Sequence, residues 1–396
     1  MNAESLHRAG WKVKVLTTTS RHVLQAIDDT LLEGFPAEIE VMRVDSPEAA
    51  FAESFGIWGK RLVVWAGRTI LPEPFFPWLV PALSRAVREV RTWKPNIIYS
   101  RAPKHVSNLV GWRLKKATGL PWVAHFSDPW FIGLTRHPLQ RFVVKFLERR
   151  VIRDADALVF VTQQAADVIM RSYPAAWSRR VHIIPHGYVP LSLASNSRPQ
   201  NRGGPLKVIH AGSFYPNFRS PDSLIEGIRR LKARIQIAGR LEITCVGVDT
   251  TCYQQALEKA GVADVISLRP SVPFVECQRM LAESDLILVI DTPKFGGMFL
   301  PTKLIEGFAF RKPMLGLAES NSAVKETLER CGLPCAELGD PGAIAAEFER
   351  LLARWESGQW GLDAEVSRRL TAYEIDRVNQ KLTRLFHSLI PAETSM

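Results

Sequence analysis

Residues 299–317 read FLPTKLIEGFAFRKPMLGL and follow the acid-flanked apolar run DLILVID, Asp285 to Asp291. That run predicts a buried parallel strand, because a strand covered on both faces reads as continuous apolar residues. A loop with Gly296 and Gly297 comes next. A helix then starts near Pro301 and Thr302, with Lys303 in its first turn and Glu306 about one turn on. Backbone N–H groups at a helix N-terminus, with a lysine beside them, attract phosphate. A carboxylate one turn later can accept two hydrogen bonds from a ribose diol. The stretch fits a cradle for a nucleoside diphosphate. It also fits a plain αβ unit whose Lys303 and Glu306 face water.

The same alternation extends in both directions. Strands are predicted at 12–18, 37–44, 96–100, 121–126, 157–162 and 181–185, with helices such as 78–93 and 105–119, the latter ending at a Gly cap. After residue 205 the pattern restarts, with strands over 205–213, 241–248, 265–270, 285–291 and 313–318. Helices are predicted over 220–235, 252–260, 274–283 and 302–310. The fold class is therefore α/β, as two Rossmann-like, doubly wound parallel-sheet domains. Residues 190–205, PLSLASNSRPQNRGGP, lack periodicity and are rich in Ser, Asn, Pro and Gly, so they read as the linker. This gives domains over 1–189 and 206–371, with ligands expected in the cleft between their carboxyl-end loops. The second domain's first loop, AGSFYPNFRSP, adds Gly212, Ser213 and Arg219. Glycine lets backbone approach a phosphate and arginine grips it with two bonds. Arg219 and Lys303 together place two cations at one sheet edge.

Composition bounds the function classes. A chain of 396 residues, 46% hydrophobic and 23% charged, is long enough for two packed domains and is not a disordered polymer. The five cysteines (Cys245, Cys252, Cys277, Cys331, Cys335) form no metal-binding pair and read as reduced thiols of a cytoplasmic protein. The polar start shows no signal peptide, and no apolar run reaches the ~20 residues of a spanning helix. The net charge of +11 is concentrated: residues 51–150 hold 17 Lys/Arg against 5 Asp/Glu, together with Trp58, Trp65, Phe75, Phe76, Trp78, Trp93 and Trp112. Such a surface suits the anionic face of a membrane. A solvated basic face with its tryptophans in the core fits the same numbers. No zinc finger, RNP aromatic motif or recognition-helix pattern supports nucleic acid as a partner.

At the end of the strand PWVAHF, the loop HFSDPW carries His125 and Asp128, read as facing the cleft. Histidine can orient a hydroxyl near neutral pH. Asp128 can hold that histidine or start the turn at Pro129. A satisfied strand-end histidine and a pure turn aspartate are the structural alternatives, and His186 in PHGY reads first as a turn residue.

Taken in order, LHRAGWKVKVLTT, WKPNIIYSRAPKHVSNLVGWRLKKATGLPWVAHFSDPW, ERRVIRDADALVFVT, VHIIPHGY, HAGSFYPNFRSP and PTKLIEGFAFRKPMLGL resemble the GT-B glycosyltransferases of family four. The resemblance covers nearly the whole chain. It implies that the second domain binds a nucleotide-sugar donor and the first a glycan or lipid-linked acceptor. Arg219 and Lys303 would hold the diphosphate, Glu306 the ribose, and backbone near Val272 and Pro273 the base. A C-terminal segment, 372–396, would cross back to the first domain. The implied activity is retaining sugar transfer in cell-surface polysaccharide synthesis, at the cytoplasmic face of the membrane. Without a DxD cluster, no metal or other cofactor is expected, since Arg219 and Lys303 carry the phosphate charge.

Two departures weigh on catalysis. Many members carry two glutamates eight positions apart; eight before Glu306 stands Met298, so Gly296 and Gly297 amides would have to serve the sugar instead. The chain also starts inside the helix that ends in RAGWKV, which implies a preceding strand and Gly-rich loop of about 20–30 residues in the family pattern. A non-catalytic nucleotide-sugar binder or partner subunit is therefore the alternative of a different class, and a nucleotide-sugar epimerase of the same fold a third.

Overall fold

The computed structural model of the chain describes residues 1–19, 35–69, 71–73, 75–102, 104–130, 137–191, 204–214, 219–248, 250–292 and 296–391. Most of the expected linker, at 192–203, lies outside them, as do parts of two expected site loops, at 215–218 and 293–295. The chain divides into two compact units. Unit 1 comprises residues 1–185 and 378–396, and unit 2 comprises residues 186–377.

Unit 1 begins with α1 (Asn2–Arg8), β1 (Lys14–Thr18) and β2 (Glu40–Val44). Then come α2 (Pro47–Ser54), α3 (Gly56–Thr69), α4 (Leu79–Trp93), β3 (Ile98–Arg101), α5 (Val106–Thr118) and β4 (Trp122–Phe126). It continues with α6 (Pro138–Asp154), β5 (Ala157–Phe160), α7 (Gln163–Met170) and β6 (Val181–Ile183). Among the described residues these strands form two parallel sheets, β1–β2 and β3–β4–β5–β6, where the alternation predicted one. All five residues of β4 and all four of β5 are buried, as continuous apolar runs require. Successive β4 side chains alternate. Trp122, Ala124 and Phe126 pack with Leu109, Val144 and Phe160. Val123 packs on the other face with Leu6, Val159, Leu382 and Phe386.

Unit 2 comprises β7 (Leu206–Ala211), α8 (Asp222–Arg234), β8 (Leu241–Val246), α9 (Thr250–Ala260), β9 (Ile266–Arg269) and α10 (Phe274–Glu283). It continues with β10 (Leu286–Ile290), α11 (Thr302–Gly307), β11 (Met314–Ala318), α12 (Ala323–Cys331), β12 (Cys335–Glu337), α13 (Pro341–Glu356) and α14 (Ala364–Leu370). Its six parallel strands run in the order β12-β11-β10-β7-β8-β9. The order reverses between β10 and β7, which makes that junction the topological switch point where α/β sheets bind ligands. The expected helix over 302–310 is shorter: α11 stops at Gly307, a 3₁₀ turn covers Phe308–Phe310, and Arg311 closes it in the left-handed region at φ 52°. Arg311 is held there by bonds to the Ser367 carbonyl and the Glu374 carboxylate.

The first crossing falls at Pro185–His186, a few residues before the expected linker. The reason is a backbone clasp: the Tyr188 N–H donates to the Tyr373 carbonyl (2.9 Å) and the Ile375 N–H to the Tyr188 carbonyl (2.8 Å). The last helix, α15 (Ile375–Leu389), contributes Val378, Leu382, Leu385 and Phe386 to the core of unit 1.

Candidate functional site

A cavity of about 250 Å³ opens at the switch point of unit 2. Its walls come from the loops that leave three neighbouring strands, β7, β8 and β10, and from the start of α11. β7 supplies His210, the loop after it Gly212 and Ser213, the loop after β9 Ser271 and Val272, α10 Phe274 and Gln278, and α11 Lys303 and Glu306. Arg219 enters from the stretch before α8.

Gly212 is required by close approach. A Cβ placed on it would sit 2.9 Å from Lys303 Nζ and 3.0 Å from His210 Nε2. Its N–H donates to the Val246 carbonyl, fixing the loop to the end of β8. Arg219 Nη2 donates to Thr292 Oγ1 (3.0 Å) and Nη1 to the Ser213 carbonyl (3.5 Å), so the guanidinium bridges the loops after β7 and β10. Burial lowers the pKa of Lys303, and the Arg219 charge lowers it further. The mutual repulsion of these cations is a standing preference for an anion. Burial raises the pKa of Glu306, and Lys303 pulls it part of the way back. Because α11 has only six residues, the two side-chain cations rather than its dipole supply the attraction.

Sequence reasoning missed His210. It is buried, stacks on Phe214 at 5.1 Å, and donates from Nδ1 to the Leu288 carbonyl at 3.0 Å. That bond fixes the tautomer, so Nε2 is an acceptor, and it has no hydrogen-bond partner among the described residues. Burial pushes the ring down to about 3, which keeps it neutral beside Lys303. The signal in the sequence was a histidine closing the strand stretch LKVIH. Asp291, next to the lining residue Ile290, is itself outside the cavity lining. It is buried at the end of β10, accepts from the Thr292 N–H at 2.7 Å, and burial pushes it up to about 6.

Four of the expected donor residues stand outside the cavity lining: Pro273, Gly296, Gly297 and Thr302. Pro273 caps α10. Thr302 is exposed at the start of α11. Gly297 is packed against Ser322, so closely that a Cβ would lie 2.5 Å from its Cα, and its carbonyl accepts from the Ala323 N–H at 2.7 Å. Its role is to seat the loop on α12. Met298, where a first glutamate would stand, is 2% exposed.

In unit 1, His125 is 3% exposed. It lies on the Val123 face of β4, and its Nδ1 meets the Tyr99 hydroxyl at 2.6 Å. The ring therefore sits in the core, one residue before the end of β4. Asp128 is half-buried, which raises its pKa. Its carbonyl accepts from His105 Nε2 at 3.0 Å, and His105 stacks flat on Trp130 at 4.8 Å. Glu73 completes this cluster. Its carboxylate caps the start of α5 by accepting from the His105 N–H (3.0 Å) and the Val106 N–H, and burial pushes it up to about 7. Neither His105 nor Glu73 was singled out from sequence.

Among solved structures, sucrose-phosphate synthase from Thermosynechococcus elongatus is similar, with 14% identity and a TM-score of 0.64 over 98% of this chain and 91% of that one. Anabaena HepE in complex with UDP-glucose has 14% identity and a TM-score of 0.60 over 95% and 100%. At such identities the likeness establishes the fold. Residues 1–187 match the model of the glycosyl transferase 4-like domain. The chain has the GT-B fold, and its first 187 residues belong to that domain family. D-inositol 3-phosphate glycosyltransferase of Segniliparus rotundus is 24% identical to this chain over 303 residues. The aligned region is 71% of this chain and spans 60% of that relative's length.

Proposed function

We propose that the protein transfers a sugar, with retention, from a nucleoside-diphosphate sugar to a glycan or lipid-linked acceptor in cell-surface polysaccharide synthesis. One observation carries the reading: Arg219, Lys303 and Glu306 line a single cavity at the switch point of unit 2. Arg219 and Lys303 hold the diphosphate, and Glu306 accepts from the ribose hydroxyls. HepE, which binds UDP-glucose, shares this fold.

In sugar transfer the bond from the anomeric carbon to the diphosphate oxygen breaks through an oxocarbenium-like transition state. Negative charge grows on the departing diphosphate. Two fixed cations stabilise that state more than the bound donor, and this difference is what accelerates the reaction. Retention follows from front-face attack, with a phosphate oxygen helping to take the acceptor's proton. Arg219 and Lys303 supply the charge that a bound cation would otherwise supply. Glu306 faces Lys303 in the same cavity and is assigned to the ribose, so no carboxylate of the lining is left for a covalent intermediate.

The proposal gives His125 and Asp128 positioning roles. The buried His125 fixes the end of β4 through Tyr99, and Asp128 holds the loop beyond it. It also places the protein peripherally at an anionic, cytoplasmic membrane face. No described helix is long and apolar enough to cross a membrane.

The test is calorimetry with UDP, GDP and ADP, followed by transfer assays over a panel of donor sugars, with the product's anomeric configuration read by NMR. Nucleotide binding weakened in both Arg219→Ala and Lys303→Ala is the expected result. Binding unchanged in both overturns the site. A second reading, a non-catalytic nucleotide-sugar binder, is favoured by buried Met298 where a donor-sugar carboxylate would stand. Tight nucleotide binding with no transfer to any acceptor would select it.

A further inference from the structure

We propose that unit 1 docks on an anionic lipid surface through the exposed apolar stripes of α3 and α6, with the basic side chains beside them meeting the lipid phosphates. The inference rests on the peripheral reading above and names its elements.

On α3, Trp58, Leu62 and Trp65 follow one another at helical spacing and are 75%, 49% and 53% exposed, while Val63 turns inward at 7%. On α6, Leu139, Phe142 and Phe146 form a second stripe, 58%, 70% and 47% exposed. Scattered surface apolar residues need no explanation, but large side chains in rows on two helices do. The tryptophans counted in the sequence thus divide. Trp78 and Trp112 are core residues, whereas Trp58 and Trp65 are not.

The charge around the stripes selects the occupant. No Asp or Glu occurs from 56 to 72, and on α3 the exposed Arg61 lies over the Trp58 ring at 5.4 Å. On α6, Arg141, Lys145 and Arg149 are exposed beside the stripe. Arg150 lies over the Phe146 ring at 4.2 Å. Glu148 is turned inward, accepting from the Tyr173 hydroxyl at 2.7 Å, and Asp154 is engaged by Arg153 and Lys116. Apolar rows edged by cations and free of exposed carboxylate match a surface of phosphate headgroups over acyl chains. A second copy of the same face would set cation against cation. Gln140, from the buried side of α6, donates to the Leu71 carbonyl, which ties α6 to the segment that follows α3.

The experiment is vesicle flotation with phosphatidylcholine alone and with about 30% phosphatidylglycerol, at low and high salt. Wild type is compared with Trp58→Ser/Trp65→Ser, Phe142→Ser/Phe146→Ser and the control Val80→Ser. Val80 is 75% exposed and lies on α4. The expected result is salt-sensitive binding to the anionic vesicles only, reduced by about tenfold or more in each stripe variant and unchanged in the control. Hydrogen exchange on the wild type, which needs no variant to fold, should show vesicle-induced protection over 56–69 and 138–150. Wild-type binding that survives both stripe changes, or protection elsewhere only, overturns the assignment of these helices while keeping the peripheral reading. No wild-type binding overturns both. Self-association that the stripe changes abolish, without vesicle binding, makes the face a contact between copies and overturns the proposal as well.

Discussion

Both units end parallel strands in loops at a carboxyl edge, yet the two edges hold opposite kinds of chemistry. In unit 2 the edge keeps charge open: Arg219 and Lys303 lie near each other and repel, with His210 locked neutral beside them. In unit 1 the edge closes its polar groups on itself. Glu73 caps α5, His105 joins the Asp128 carbonyl and Trp130, and His125 pairs with Tyr99. One architecture can thus build a receptor around repelling cations and a scaffold from groups that bond to one another. The first is poised for a polyanion. The second stiffens the loops that an acceptor would meet.

The largest effect should come from removing the open charge. Arg219→Ala/Lys303→Ala is expected to cut turnover by about 10³-fold or more. Each single change should weaken nucleoside-diphosphate binding by about 1.5–3 kcal/mol in calorimetry. Equal affinity in the double variant would erase the contrast between the edges.

Next comes the closed edge. Glu73 binds its proton more tightly folded than unfolded, since burial raises it from 4.5 to about 7. Wild-type stability therefore falls as pH climbs through that window and stays lower above it. Glu73→Gln lacks this loss. Relative to wild type it should gain on the order of 3 kcal/mol between pH 4 and pH 8 in denaturant titrations. A pH-independent difference would show that the carboxyl is not the closed, desolvated group described.

The third test is His125→Ala. Loss of a buried ring and its bond to Tyr99 should cost about 2 kcal/mol of stability, with nucleotide affinity unchanged. Turnover reduced by about 10²-fold at full stability would instead give the ring a direct part in the chemistry. The smallest effect is expected from Gly212→Ala, whose methyl crowds Lys303 Nζ and His210 Nε2. It should weaken nucleotide binding by about tenfold, and affinity kept at wild-type level would mean that the lysine is free to move aside.

The open edge was legible in sequence because its parts are local. A loop that leaves an apolar strand and carries Gly and Arg, or Lys and Glu, names its own chemistry, and Gly212, Arg219, Lys303 and Glu306 all line the cavity. The closed edge was opaque because its bonds are long-range. Nothing around Glu73 announces the N–H groups of His105 and Val106, more than thirty residues on. His125 was placed by strand position alone. Which face it took depended on α1 and α15 packing over Val123 and Tyr99, a contact that joins both ends of the chain. The alternation also predicted one continuous sheet in unit 1. Strand pairing is a tertiary choice, and periodicity does not specify it.

The interleaved course of the backbone sets an order of assembly during translation. Unit 2 is continuous from 186 to 377 and can complete its core as soon as that segment clears the ribosome. Unit 1 is begun first and finished last. Until Val378, Leu382, Leu385 and Phe386 emerge, Val123 and Val159 have only part of their cover, from Leu6 and its neighbours. The nascent half that carries the tryptophan-bearing α3 thus spends most of synthesis with a greasy face exposed, and it depends on the final helix, or on a holding chaperone, to avoid aggregation.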